Sequence, residues 1–296
     1  MKNCEINIRD PFILVHDGRY YMYGTRGKTC WGPADGFDVY TGADLEDWEG
    51  PAEVFHTPPG FWADQNYWAP EVHLYKGEFY MFASFKADGI CRGTQILKAS
   101  SPAGPFMPWS DGPVTPRDWE CLDGTLYIDK GAPYMVFCHE WSQIKDGAIC
   151  AVALSDDLKR AAGEPKTYFT ASEAAWGVPI KDGDCYVTDG PFMFTTGSGG
   201  LLMLWSGFSK DGYAMGTARS TTGGLDGEFV QDEKLLFSKD GGHGMVFRGL
   251  DGGLRVTLHT PNDTPMERPM FYHALEKDGH LEILLATREP YGLYKE

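Results

Sequence analysis

Apolar and polar positions along this chain come in short alternating bursts separated by Gly-bearing turns. The first, "PFILVHDGRYYMYGT" (Pro11 to Thr25), is an apolar stretch, an Asp17-Gly18 turn and a second β-rich stretch, which predicts a β-hairpin. The same pattern recurs as "PEVHLYKGEFYMFAS", "GTLYIDKGAPYMVFC", "GPFMFTTGSGGLLMLWS" and "GMVFRGLDGGLRVTLHT". Its first strands begin near Phe12, Glu71, Thr125, Pro191 and Met245. A third strand follows each hairpin ("FDVYTG", "QILKASS", "ICAVALS", "YAMGTARS", "MFYHALE"), and a weaker fourth closes most repeats, as in "AEVFHT", "EKLLFS" and "LEILLA". Helical periodicity is nearly absent apart from a short turn at Ser155 to Arg160. Five repeats of four strands predict an all-β fold, a five-bladed β-propeller of four-stranded antiparallel blades. The last repeat supplies its own outer strand, so the ring is expected to close without help from the N-terminus.

In a propeller the innermost strand of each blade starts at the central channel. Aligning the residue before each first strand brings Asp10, Ala69, Asp123, Asp189 and His243 to one register. An isolated Asp-Gly or Asp-Pro is ordinary turn chemistry. Three Asp and a His converging on one axis are a different matter, because crowded carboxylates raise at least one pKa. The end of the second strand lies beside the start of the first, which puts Glu140 near Asp123 with Trp141 next to it. Arg268, His259 and Asn262 follow the second strand of the last repeat and gather at the same end. Trp68, Trp141 and Trp205 lie beside the aligned positions, where an aromatic face suits the apolar face of a sugar ring. Glu71, two residues past Ala69, is a further candidate.

The chain has 296 residues, 42% of them hydrophobic, enough for one domain spanning 1–296 with a large core. A formal net charge of -16 argues against nucleic acid and anionic membranes as partners. No apolar run is long enough to span a bilayer. Seven cysteines form an odd set without CxxC or CxxH spacing, which speaks against a disulfide framework or zinc site and for a cytoplasmic location. A periplasmic or secreted location is the alternative if a signal peptide has been removed.

The ordered set "RDPF", "YWAPEVHLYKGEFYMFAS", "LDGTLYID", "TDGPFMF", "GGHGMVF" and "HTPNDTPMERP" spans nearly the whole chain and resembles glycoside hydrolase family 43. Members are five-bladed propellers that cleave arabinosyl, xylosyl and some galactosyl linkages. The resemblance implies an inverting mechanism, with Asp10 as general base and Asp123 as the auxiliary carboxylate that tunes and orients the acid. It implies that His243 holds water or a metal ion, commonly calcium, with no other cofactor required, and that Arg268 is the active-site arginine. One position departs: Asp189 stands where the family has Glu as general acid, and its side chain is one methylene shorter. Either Asp189 is a shortened acid, or Glu140 of the neighbouring blade, favoured slightly by its reach, has taken the role. If neither donates a proton, the protein is a non-catalytic carbohydrate-binding propeller.

Inversion requires two carboxyl groups about 6.5–9.5 Å apart to admit a water. The loops "RGKTCWGPADG" and "HEWSQIKDG" predict a closed funnel, which suits removal of terminal arabinosyl or xylosyl units from oligosaccharides or polysaccharides. An endo-acting arabinanase or xylanase, or a galactosidase of the same family, is the alternative. "WECLDG" echoes the acid motif of fructan-cleaving propellers, whose carboxyls stand closer, about 5–5.5 Å apart. The other motifs fit family 43 better.

Overall fold

The computed structural model describes residues 1–181 and 183–284. It contains five four-stranded antiparallel sheets, each built from consecutive strands. Blade 1 consists of β1 (Ile8–His16), β2 (Arg19–Arg26), β3 (Gly36–Gly42) and β4 (Glu49–His56). Blade 2 comprises β5 (Gln65–Tyr75), β6 (Glu78–Ala87), β7 (Ile90–Ala99) and β8 (Met107–Pro108). Blade 3 follows with β9 (Cys121–Asp129), β10 (Ala132–His139), β11 (Ala148–Ala153) and β12 (Lys166–Thr170). Blade 4 holds β13 (Asp189–Thr195), β14 (Leu201–Ser209), β15 (Gly212–Ser220) and β16 (Phe229–Gln231). Blade 5 ends the ring with β17 (Gly242–Arg248), β18 (Leu254–Thr260), β19 (Arg268–Lys277) and β20 (His280–Leu284).

The hairpins form where turn chemistry and alternation place them. Gly18, Gly77 and Gly131 take positive φ of 71°, 83° and 85° at their turns. Two details differ from the sequence reading. The fourth strand of blade 4 is Phe229–Gln231 rather than the apolar "EKLLFS". The chain leaves the ladder at Asp232, whose carboxylate accepts the Thr217 hydroxyl and the Arg219 guanidinium; Phe237 then returns for one bridge to Met215. Ser155 to Arg160 is a turn closed by the Ser155 N–H on the Arg160 carbonyl, whereas a four-residue α-helix, α1 (Trp141–Ile144), follows Glu140.

The outer strand of the last sheet is β20, from the last repeat itself, as expected; residues 285 and 286 of "LEILLA" lie outside the described residues. The ring closes by packing of β1 against β17. Across that seam the Leu250 N–H donates to the Tyr20 hydroxyl at 2.7 Å, and Arg9 reaches Asn262 and Glu267 of blade 5. Apolar side chains facing adjacent blades form the core. One cluster, around Tyr23, Phe37, Phe55, Phe85 and Phe271, joins blades 1, 2 and 5.

One backbone device repeats around the axis. Every innermost strand carries a two-residue bulge near its start, between Arg9 and Phe12, Trp68 and Glu71, Leu122 and Thr125, Asp189 and Phe192, and Gly242 and Met245. The residue after each first bulge partner has a left-handed backbone: Asp10 (φ 55°), Ala69 (47°), Asp123 (58°), Gly190 (49°) and His243 (48°). Its N–H turns toward the preceding blade. Ala69, Asp123 and His243 donate to the hydroxyls of Thr25, Ser84 and Ser206 at 2.8 Å each. Asp10 donates to His259 Nδ1 at 3.1 Å, and Gly190 to Asp123 Oδ2 at 2.9 Å. Cys138 occupies the hydroxyl position of blade 3, opposite Leu122, so the carboxylate of Asp123 takes the amide instead.

Candidate active site

The bulges correct the alignment read from sequence. Asp10, Asp123 and His243 share a register with Ala69, but the fifth member is Gly190. Asp189 lies one residue earlier, level with Arg9, Trp68, Leu122 and Gly242. Asp189 therefore approaches the axis from another direction than the other two carboxylates. A Cβ at Gly190 would sit 2.6 Å from Cδ2 of His243, so the absence of a side chain there lets the imidazole fill the axis.

Asp10, Asp123, Asp189 and His243 border one cavity of about 70 Å³, together with Arg9, Trp31, Trp68, Leu122 and Tyr213. Larger hollows of about 430 and 760 Å³ lie between blades 2 and 3 and between blades 4 and 5, and none of the four axial residues lines them. One step along the first strands, Phe12 and Phe192 meet edge to face at 6.3 Å from non-adjacent blades, with His73 5.1 Å from Phe12. These rings narrow the axis on that side of the cavity.

Electrostatics separates the three carboxyls. Burial would raise the pKa of Asp10, but His243 (Nδ1 to Oδ1 3.2 Å), Arg9 and the Thr25 hydroxyl, donating at 2.5 Å, hold it below the usual carboxylate value. Burial and the charge of Asp10 push Asp123 well up. Burial and then Asp123 push Asp189 up to about 7, although the Tyr213 hydroxyl, donating to its Oδ2 at 3.0 Å, favours the ionised form. The cluster thus holds one carboxylate built to be ionised and another built to carry a proton near neutral pH.

His259 explains part of this arrangement. It is fully buried and its Nδ1 accepts the Asp10 amide, so that nitrogen carries a lone pair and the ring is neutral. Burial lowers its pKa to about 4. Its ring stacks on Tyr213 at 5.7 Å, and Nε2 faces Asn262 Oδ1 at 3.4 Å.

Other candidates from sequence fall in different places. Trp68 lines the cavity. Trp205 does not: it is fully buried in the core, its indole N–H on Gln231 Oε1 and its ring 4.5 Å from Trp176, so no face is left for a sugar. Trp141 opens α1 beneath Lys181, whose Nζ lies 4.3 Å from its ring, and is not a cavity wall. Glu71 is buried against His73 Nε2 at 3.0 Å. Glu140 is buried and pairs with Arg92 Nε at 3.3 Å rather than facing the cavity.

Arg268 donates to the carbonyls of Cys4, Pro265 and Glu267, tying the N-terminal turn to the blade 5 loop away from the cavity. The cavity guanidinium is that of Arg9, clamped by Glu267 Oε1 at 2.5 Å and Asn262 Oδ1 at 2.7 Å and lying 5.1 Å from the Trp31 ring. Sequence reasoning missed Arg9, Trp31 and Tyr213 as site residues. The first two were visible signals, a charge abutting Asp10 and an aromatic in a Gly-rich loop, whereas a third-strand Tyr carries none.

Calcium takes about six to eight oxygen ligands. His243 instead turns Nδ1 to Asp10 Oδ1 and, at 3.7 Å, to Asp123 Oδ2. Among the described residues no group of three or more His, Cys, Asp or Glu side chains is arranged to hold a metal. The donor set among the described residues does not fit a protein-caged ion.

A five-bladed ring with three carboxyl groups gathered on its axis is an arrangement suited to cleaving sugar linkages. Residues 4–278 match the Glycosyl hydrolases family 43, and the chain belongs to that family. It is 40% identical to the crystallised endo-arabinase of Bacteroides thetaiotaomicron VPI-5482, covering 94% of this chain and 98% of that one with a TM-score of 0.88. An extracellular exo-α-(1→5)-L-arabinofuranosidase of Cellvibrio japonicus is 28% identical over 60% of this chain. An extracellular endo-α-(1→5)-L-arabinanase of Bacillus subtilis is 28% identical over 47% of it. The matched region spans about half the length of these two relatives, 52% and 45%. Their naming gives the cytoplasmic expectation no support. All seven cysteines are free, and no helix among the described residues is long and apolar enough to cross a membrane.

Proposed function

We propose that this chain hydrolyses α-L-arabinosyl linkages with inversion, Asp10 acting as base and Asp189 as acid. The observation that carries the reading is the convergence of Asp10 and Asp189 on one cavity beside Arg9 and Tyr213, with His243 and Arg9 favouring the charge on Asp10 and burial favouring a proton on Asp189. Ionised Asp10 takes a proton from a water as its oxygen bonds to the anomeric carbon. The carbon–oxygen bond to the leaving group breaks on the opposite face, and Asp189 gives its proton to the departing oxygen. Asp123 accepts the Gly190 amide and so fixes the backbone that carries the acid. Glu140 suits proton donation less well, since it is engaged by a buried guanidinium. Arg9, rather than Arg268, is placed to hydrogen-bond sugar hydroxyls.

The arabinosyl substrate is supported by the activities in the names of the relatives. The compact cavity favours a terminal unit, whereas the 40%-identical relative is titled an endo-arabinase. The extracellular naming of relatives favours work outside the cell on a polysaccharide or its oligosaccharides.

The test is turnover of linear arabinan and of nitrophenyl arabinofuranoside, xyloside and galactoside by wild type and Asp10→Asn. Arabinose alone as product from arabinan means terminal attack, and mixed oligosaccharides mean internal attack. Full activity in Asp10→Asn would refute the base assignment. Sugar binding without any turnover in wild type would leave a carbohydrate-binding propeller.

A further inference from the structure

Arg92, on β7, is 6% exposed, an expensive place for a guanidinium without close partners. Its Nε donates to Glu140 Oε2 at 3.3 Å, and its Nη1 to the Asn66 carbonyl at 3.4 Å. Its backbone N–H donates to Glu120 Oε2 at 2.7 Å, and that carboxylate also holds Lys86 at 2.5 Å. The guanidinium lies over Trp68, with Cζ 3.6 Å from the ring centroid. Trp68 is fixed on its other sides too. Its indole N–H donates to the Cys30 carbonyl at 2.5 Å, and Trp31 stands edge-on at 5.4 Å and 77°. What remains of the ring borders the cavity that holds Asp10, Asp123 and Asp189.

We propose that Arg92 and Glu140 are positioning residues that hold Trp68 upright as the wall on which the reacting sugar stacks. Glu140 orients Arg92, Arg92 backs the indole, and the sugar takes the face that is left. This rests on the glycosidase reading but assigns the pair to binding rather than to proton transfer. An arginine suits the position because only a planar guanidinium can stack on an indole while donating in its own plane. Replacing the pair by apolar side chains would satisfy stability alone.

The test compares wild type with Arg92→Lys, Glu140→Gln and Trp68→Ala by steady-state kinetics on an arabinose-releasing substrate. Binding of arabinotriose is followed in parallel by tryptophan fluorescence. Arg92→Lys keeps the charge and loses the plane. It should raise KM and the arabinotriose Kd by about three- to thirtyfold, with kcat within about threefold and the pH profile unmoved. Trp68→Ala should do the same more strongly, and Glu140→Gln, which retains a hydrogen bond, more weakly. A kcat collapse in Glu140→Gln that an activated aryl leaving group restores would make Glu140 the proton donor and overturn the proposal. Unchanged KM and Kd in Arg92→Lys, with only a lower melting temperature, would reduce the pair to a structural one. Wild type that binds no arabinotriose would instead sink the arabinosyl reading itself, and this proposal with it.

Discussion

Tyr213 donates its hydroxyl to Asp189 Oδ2 at 3.0 Å while its ring stacks on His259, the neutral imidazole that accepts the Asp10 amide. The proposed acid and base are therefore braced by one stacked pair. The Tyr213 bond favours the ionised form of Asp189, so removing it moves the pKa further above about 7. Catalysis needs Asp189 protonated, and the rate falls as pH rises through that value. In Tyr213→Phe the basic limb of kcat/KM against pH should shift upward by about 0.5–1 pH unit, the equivalent of a hydrogen bond worth roughly 1 kcal/mol. The acidic limb, set by Asp10 below the usual carboxylate range, should stay in place. A downward shift of the basic limb would contradict the assignment.

Gly190 is required twice over, by its φ of 49° and by His243 lying 2.6 Å from where a Cβ would be. Gly190→Ala should cost at least the roughly 1–2 kcal/mol of a left-handed residue, with further loss from displacement of the imidazole. Differential scanning calorimetry should show a melting point lower by several degrees. Because the neighbouring Asp189 shifts with the backbone, kcat should fall by more than the folded fraction accounts for. An unchanged melting point would contradict both costs, and a fall no larger than the backbone cost would mean that His243 yields freely.

The hairpins and the ring were legible in the sequence because both are local signals, turn residues and period-two alternation, repeated five times. Asp10, Asp123 and His243 were legible for the same reason, as polar residues at one recurrent register. The step to Asp189 failed by one residue, since "TDGPF" can be aligned on its Asp or on its Gly and only the backbone conformation decides. Left-handed φ is most easily met by glycine, so Gly190 was the better match to the bulge slot. Trp205 was misplaced because adjacency to an aligned position does not say which face of the strand a side chain takes, and Arg268 because its place after the second strand does not say that its guanidinium turns to the carbonyls of Cys4, Pro265 and Glu267. A two-residue bulge reverses that face without leaving a mark on the apolar pattern.

Arg9 and Arg268 can be told apart by kinetics. Arg9 lines the cavity and is gripped by the buried Glu267 and by Asn262, whereas Arg268 serves three carbonyls outside it. Arg9→Lys retains charge opposite Glu267 but cannot span both partners, so KM should rise by about tenfold or more. Arg268→Met should leave KM within about twofold and lower the melting temperature slightly, as lost carbonyl hydrogen bonds do. Similar KM effects from both would return Arg268 to the site.

Asp189→Asn should trade activity for stability, with a pH signature that a generic core effect would not have. The folded-state pKa of Asp189, about 7, lies above the ordinary 3.8, so burial favours its protonated form. The stability tied to that proton is fully present below about pH 3.8 and is lost progressively as pH rises through about 7. Asparagine cannot ionise and loses nothing over the same range. The melting temperature of the variant relative to wild type should therefore climb from pH 4 to pH 7 and level off above it, reaching a gain of a few degrees at pH 8. Its kcat on a substrate with a poor leaving group should drop by about 10²–10⁴, and an activated aryl leaving group should recover much of that loss. A melting difference that is flat across this range would show that Asp189 is solvated well enough to ionise as an ordinary carboxyl. It would then be too acidic to hold a proton at neutral pH, and the acid would have to be sought at Glu140.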